Sequence, residues 1–409
     1  MRAAKLLVIF LIVMLLQGCW GSRETDEIAY VLVMGFDKGP DNNIMMTFQI
    51  ANPKAIAGPA GGGGGEKEKP LITISTLAPL PIAAFNLINV ERSREISLLH
   101  TTAFIFSEEL AREGLIAYLN PLQRYPETRG TAFVYVSKGK AREFMVKNQP
   151  ELEITPSKQY ELISRIERIH ALAPVVQFQD FYRATKALDI QPVAPLVALQ
   201  KEGFESYRPE GFGKLGDYTA GNLPSNKGET QFLGAAVFKM DRMVGQLTGD
   251  ETRYFNMLTG KMASSFITVI DPLKENSAIG LTLKQARKPD IKVTLAGGRP
   301  LIEIEVFQEP EIVGIASGIN YEGEKLKPVL EKELANLIKE RCQELIARTQ
   351  EEFASDIFGF GRYARANFLT VSDWRDYDWQ RAYPGAKVDV KVSLKIRRTG
   401  LMLETEPVR

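Results

Sequence analysis

Eleven apolar residues in succession, Leu6 to Leu16, end three positions ahead of a cysteine, Cys19. Arg2 and Lys5 are the only charges before Arg23. A basic start followed by an apolar stretch of this length has the layout of a secretory signal. A bilayer-spanning helix needs ~20 apolar residues, and about 17 at the least, so the stretch is short for an anchor. Residues 1–18 are therefore expected to leave the mature chain, and the fold to be built from Cys19 onward.

Leu16-Gln17-Gly18-Cys19 resembles a lipobox, in which the cysteine thiol is diacylated and the signal is cut just before it. An ordinary secretory signal favours small residues at −3 as well as −1, and Leu16 is large; Gln17 departs from the usual Ala or Ser at −2. One acyl chain binds a membrane marginally and two hold it, at ~0.8 kcal/mol per buried methylene. A diacylglyceryl group on Cys19 meets that requirement, and the membrane becomes the first expected partner. Trp20 suits either headgroup depth or a plain surface position. Cys342 is the one other cysteine. A lipidated Cys19 then leaves no intramolecular disulfide, so folding rests on core burial, which a chain this long can supply.

Losing Arg2 and Lys5 takes the formal net charge from +1 to −1. Near-neutrality gives no support for nucleic-acid binding. A hydrophobic content of 44% with 25% charged residues is that of a globular protein, and the length suggests two or three domains.

Ile28 to Phe36 and Ile44 to Ile50 read as a hairpin around Gly39-Pro40-Asp41-Asn42-Asn43. The Gly-rich segment 58–69, with glycines at 61–65, reads as a solvated linker. Strands are expected at Leu71–Ser75, Thr101–Phe106 and Thr131–Val136, with helices at Pro81–Val90, from Ser107, from Lys140 and from Thr155-Pro156. The last of these is expected to bury Leu162, Ile163, Ile166 and Ile169. Alternation of this kind indicates an α/β domain over 19–192. A middle domain, 193–262, contains the loop 202–228, a hairpin turning at Met240-Asp241-Arg242, and a helix capped by Thr248 or Asp250. The C-terminal domain, 263–400, reads as α+β: strands at Phe266–Ile270, Ala278–Lys284, Ile291–Ala296 and Ile302–Gln308, a long helix 328–355, and an alternating strand from Lys387. The fold class expected is thus α/β and α+β, three domains each with a mixed sheet packed by helices.

The sequence carries no recognisable catalytic or metal-binding motif. The two histidines, His100 and His170, fit no zinc motif, no Gly-x-Ser-x-Gly elbow occurs, and no metal or cofactor is expected. Cys342 lies in the apolar stripe of the long helix, where a thiol is inert. Gly211-Phe212-Gly213-Lys214-Leu215-Gly216 and Gly359-Phe360-Gly361-Arg362-Tyr363-Ala364 match the dinucleotide fingerprint. Neither has the strand before and helix after that place pyrophosphate on a helix N-terminus.

Blocks in order along the chain carry a resemblance: Gly18 to Glu24, Glu27-Ile28-Ala29, Gly35 to Lys38, His100 to Phe106, Glu108 to Gly114, Gly139-Lys140-Ala141, Gly234 to Lys239, Gly245, Glu251-Thr252-Arg253, Ser355 to Gly361, Trp374 and Ile396 to Gly400. Together they resemble the spore germination lipoproteins of the Ger(x)C family, the C subunits of nutrient germinant receptors. Tyr125, within Arg124-Tyr125-Pro126-Glu127, stands where that family has Asp, and the pentaglycine is a local insertion. The resemblance implies three α/β domains on the outer face of the spore inner membrane, bound to integral-membrane A- and B-type subunits. It implies a part in nutrient-triggered germination and no catalytic activity. Gly359 and Gly361 would then belong to a turn between helices. Export and anchoring also fit a substrate-binding lipoprotein of a transporter, and, as a third class, a cell-wall hydrolase.

Overall fold

A computed structural model describes residues 5, 24, 27–56, 69–91, 93–150, 152–200, 218–223, 230–297, 299–402 and 404–405. Cys19, Trp20, the pentaglycine, the first glycine motif and most of loop 202–228 lie outside them.

Near-continuous apolar runs, buried on both faces, build the centre of the first layer. Its strands are β1 (Ile28–Lys38), β2 (Ile44–Ala51), β3 (Leu71–Ala78), β4 (Glu95–Ser97), β5 (Ala103–Ser107), β6 (Phe133–Lys138), β7 (Val193–Leu199), β8 (Thr230–Lys239) and β9 (Arg242–Leu247). They lie in the order β3-β2-β1-β5-β6-β7-β8-β9, with β4 beside the start of β1. The centre, β1 through β7, is parallel, and antiparallel hairpins extend it at both sides. Strands of the expected first and middle domains are therefore hydrogen-bonded into one sheet, β6 to β7.

Helices cover both faces, as a parallel centre requires. They are α1 (Pro81–Glu91), α2 (Glu108–Glu113), α3 (Ile116–Arg124), α4 (Ala141–Lys147), α5 (Pro156–His170) and α6 (Phe178–Lys186). All five residues of β5 are buried. Phe104 and Phe106 join Phe36, Phe48 and Phe178 on one face, while Ala103 and Ile105 join Val33, Tyr135, Phe144 and Tyr160 on the other. The expected helix starts stand where polar caps put them: Ser107 accepts from the Leu110 N–H, and Pro156 opens α5 behind Thr155.

The face of α5 differs from expectation. Ile166 and Ile169 are 47% and 51% exposed, and the buried anchors are Pro156 and Tyr160. Tyr160 carries the helix because its ring packs between Tyr135 and Phe232, at 5.2 and 5.9 Å, and its hydroxyl accepts from Asn148 Nδ2 at 3.1 Å. A single large aromatic fixes one side, and the aliphatic side is left to solvent.

The second layer has β10 (Ser264–Asp271), β11 (Lys274–Ala296), β12 (Arg299–Gln308), β13 (Glu311–Ile315) and β14 (Lys387–Leu394). β11 runs unbroken for 23 residues, where two separate strands are expected from sequence. Its first half pairs with β10 and β13 and its second with β12, with register shifts at Gln285–Arg287 and Arg287–Asp290. Those irregularities accommodate Pro289, which lacks the N–H of a regular ladder. The long helix α8 (Lys327–Glu351) buries Leu330, Leu334, Ile338, Cys342, Leu345 and Ile346, and crosses the layer to reach β14, parallel to β12.

Between the layers lies α7 (Gly249–Leu258), buried on almost every side. Thr248 and Glu251 form a reciprocal capping box at its start, and Arg348 of α8 donates to the same Glu251. Three short helices, α9 (Phe360–Ala364), α10 (Val371–Tyr377) and α11 (Trp379–Ala382), follow in the C-terminal unit.

Candidate functional site at the junction of the two sheets

Cys342 is fully buried on the inner face of α8 and burial pushes its thiol up, which leaves it inert as a nucleophile. His100 is exposed, edge-on to Tyr30 at 4.7 Å, and His170 closes α5 with its ring 6.2 Å from Phe266. Glu167 is pushed up to about 7 by burial, against N–H donors from Ala173 and Leu172 that lower it. It faces a hollow of only about 10 Å³, room for about one water. Among the described residues, no three His, Cys, Asp or Glu converge as metal ligands, and no helix is long and apolar enough to cross a membrane.

The glycine motif after α8 has a different physical cause from nucleotide binding. Its backbone N–H groups are taken by the chain's own carboxylate, Asp356. Oδ1 accepts from Phe358 at 3.2 Å and Gly359 at 2.9 Å; Oδ2 accepts from Gly361 at 2.9 Å and from Trp379 Nε1 at 2.8 Å. Burial raises the Asp356 carboxyl to about 6, against these donors, which pull it down. Gly359 has φ 78°, a left-handed conformation that costs glycine little. A Cβ on Gly361 would stand 2.7 Å from the Asp189 carbonyl and 2.7 Å from the Trp379 ring. The turn is thus pressed against the segment entering β7, and Gln191 N–H donates to the Asp356 carbonyl at 2.7 Å. Gly359 caps the start of α9, between the two helices as the resemblance implies, whereas Gly361 lies within the first turn of α9 itself.

This turn forms one wall of a cavity of about 490 Å³, within the range of small-molecule sites. The other walls come from α6, the entry to β7, the C-terminal end of α7 and the Lys288–Ile291 stretch of β11. Phe181, Phe255 and Phe358 are buried in its lining, with the Phe255 and Phe358 rings 5.9 Å apart. Its ionisable lining residues are Asp180, Arg183, Lys261, Lys288, Arg362 and Tyr363. Arg183 donates to Asp180 at 3.0 Å. Lys261 lies over the Phe255 ring, its ammonium 5.8 Å from the centroid; desolvation lowers its pKa, the Asp180 charge raises it, and the Arg362 charge, a smaller effect, lowers it. Sequence reading missed this cavity because its parts come from five separate segments.

Two family models cover most of the chain: the spore germination protein N-terminal domain over residues 21–199, and the spore germination B3/GerAC-like C-terminal domain over residues 233–400. Spore germination protein KC of Bacillus subtilis (strain 168) is 27% identical over 413 residues, spanning 98% of this chain and 97% of that protein. Spore germination protein GerQC of Bacillus cereus is 22% identical over 404 residues, 96% of this chain and 98% of its own length. The crystal structure of the GerBC protein superposes with a TM-score of 0.54 at 14% identity, covering 89% of this chain and 96% of that one, a likeness of fold. With both domain models matched in order and the architecture shared, the chain belongs to the Ger(x)C family of spore germination proteins.

Proposed function

We propose that this chain is a lipid-anchored, non-catalytic subunit of a spore nutrient germinant receptor. The observation that carries the reading is the end-to-end match to spore germination proteins, 98% of the chain in the first case. Diacylated Cys19 holds the protein on the outer face of the spore inner membrane, and its partners are the integral-membrane A- and B-type subunits. The sheet shared by 19–192 and 193–262, together with the second sheet within 263–400, then forms a scaffold above the bilayer. Inert Cys342 and a glycine turn filled by Asp356 support a role without catalysis.

Spores lacking the gene should stop responding to particular nutrients, and the chain should co-purify from spore membranes with integral-membrane subunits. Cys19→Ala should leave the circular dichroism spectrum unchanged and move the protein to the soluble fraction. A normal response to every nutrient tested, with no paralogue compensating, rules the reading out.

A further inference from the structure

The cavity at the junction of the two sheets carries an excess of positive charge that the rest of the molecule does not share. The whole chain has 51 basic and 50 acidic residues, yet four cations and one carboxylate line this space. Arg183 is matched to Asp180. Among the described residues, Lys261, Lys288 and Arg362 have no carboxylate at ion-pair distance, although Asp180 acts on Lys261 from farther off.

A second cavity, about 340 Å³ between α7 and α8, shows the contrast. There Arg348 pairs with Glu251 and Glu352, and Arg341 pairs with Glu344. Its charges are satisfied from within, so it has no call for an outside anion.

We infer that the 490 Å³ cavity binds a small organic anion, a carboxylate or phosphate ester with an apolar or aromatic body. Val175, Ile190, Pro289 and Ile291, each half-buried, supply the apolar surface, and Lys261, Lys288 and Arg362 line the same space and are free to meet the anionic group. Asp180 offsets only part of this positive charge, and an anion entering the space gains charge-assisted hydrogen bonds from cations that lack a carboxylate in contact. The mouth cations are exposed, so binding weakens as salt rises. The inference does not rest on the receptor reading: the first is tested by ligand titration and the second by spore phenotype.

The experiment uses the full chain in a neutral detergent, titrated calorimetrically with benzoate, phenyl phosphate and, as an uncharged control, benzyl alcohol. Saturable 1:1 binding of at least one anion, with none of the alcohol, is the expected result. The two anions separate a carboxylate ligand from a phosphate one. The pair Lys261→Gln and Arg362→Gln should weaken binding about tenfold for each cation removed, at unchanged unfolding temperature. Arg341→Gln, in the paired cavity, should leave binding as it was. No saturable binding at millimolar anion, equal binding of benzyl alcohol, or affinity unmoved by the double variant each overturns the inference.

Discussion

The indole nitrogen of Trp379 donates to Oδ2 of Asp356 at 2.8 Å, joining residues 23 apart in sequence. Through that bond the turn after α8 is locked to the helix that follows α10, and both to the entry of β7. Fully buried carboxylates are tolerated only where donors surround them, and Asp356 has four.

Asp356→Ala should therefore destabilise the chain by about 3 kcal/mol or more, since it leaves buried N–H groups unpaired. Asp356→Asn should cost nearly as much, because its amide nitrogen would face the N–H donors of Gly361 or Trp379. Chemical denaturation checks both; a loss under about 1 kcal/mol for the Ala variant would show that the loop is held by something else.

The protonation of Asp356 sets a pH dependence. Its carboxyl rises from 3.8 to about 6 on burial, so the folded chain binds this proton more tightly than the unfolded one. The contribution to stability is full below about 3.8 and is lost as pH climbs through about 6. Carbonyl-detected NMR titration should place the midpoint near 6. A midpoint below 3.8 would show that the four donors outweigh desolvation.

Gly361→Ala should cost about 1–3 kcal/mol, the range for forcing extra volume into a packed site, because its Cβ would stand 2.7 Å from Asp189 O and the Trp379 ring. Gly385→Ala is the control, with nothing within 4 Å of the added carbon, and its unfolding temperature should stay level or rise slightly.

Cys342 should resist a maleimide in the folded protein and react once it is denatured, since the thiol is fully buried on α8. In lipidated protein the denatured count should be one thiol per chain, because a diacylglyceryl thioether blocks Cys19. Two reactive thiols would contradict lipidation; rapid labelling of the native state would contradict the burial.

Local structure was legible where one residue type has one physical role. Ser107, Thr248 and Pro156 opened helices as their side chains dictate, and the alternating apolar residues from Val388 gave β14. Pattern failed where a partner distant in sequence decided. Ile166 and Ile169 keep helical spacing, but Tyr160 meets Phe232 and turns their side outward. Lys288-Pro289-Asp290 looks like a break between strands, yet bulges carry β11 through it. The short β13 was not expected at all; it gains its place by pairing with β11. The cavity was out of reach for a similar reason, since Asp180, Lys261, Lys288 and Arg362 meet only after both sheets have formed.

β11 has a mechanical consequence. At about 3.3 Å per residue, its 23 residues make a continuous rail roughly 75 Å long when fully extended. Ladder hydrogen bonds run across the strands, so tension along this rail is carried in shear by the ladder with β10 and β13 and then by that with β12. A pull at either end is therefore shared out along the strand, so β11 couples β10 and β13 mechanically to β12.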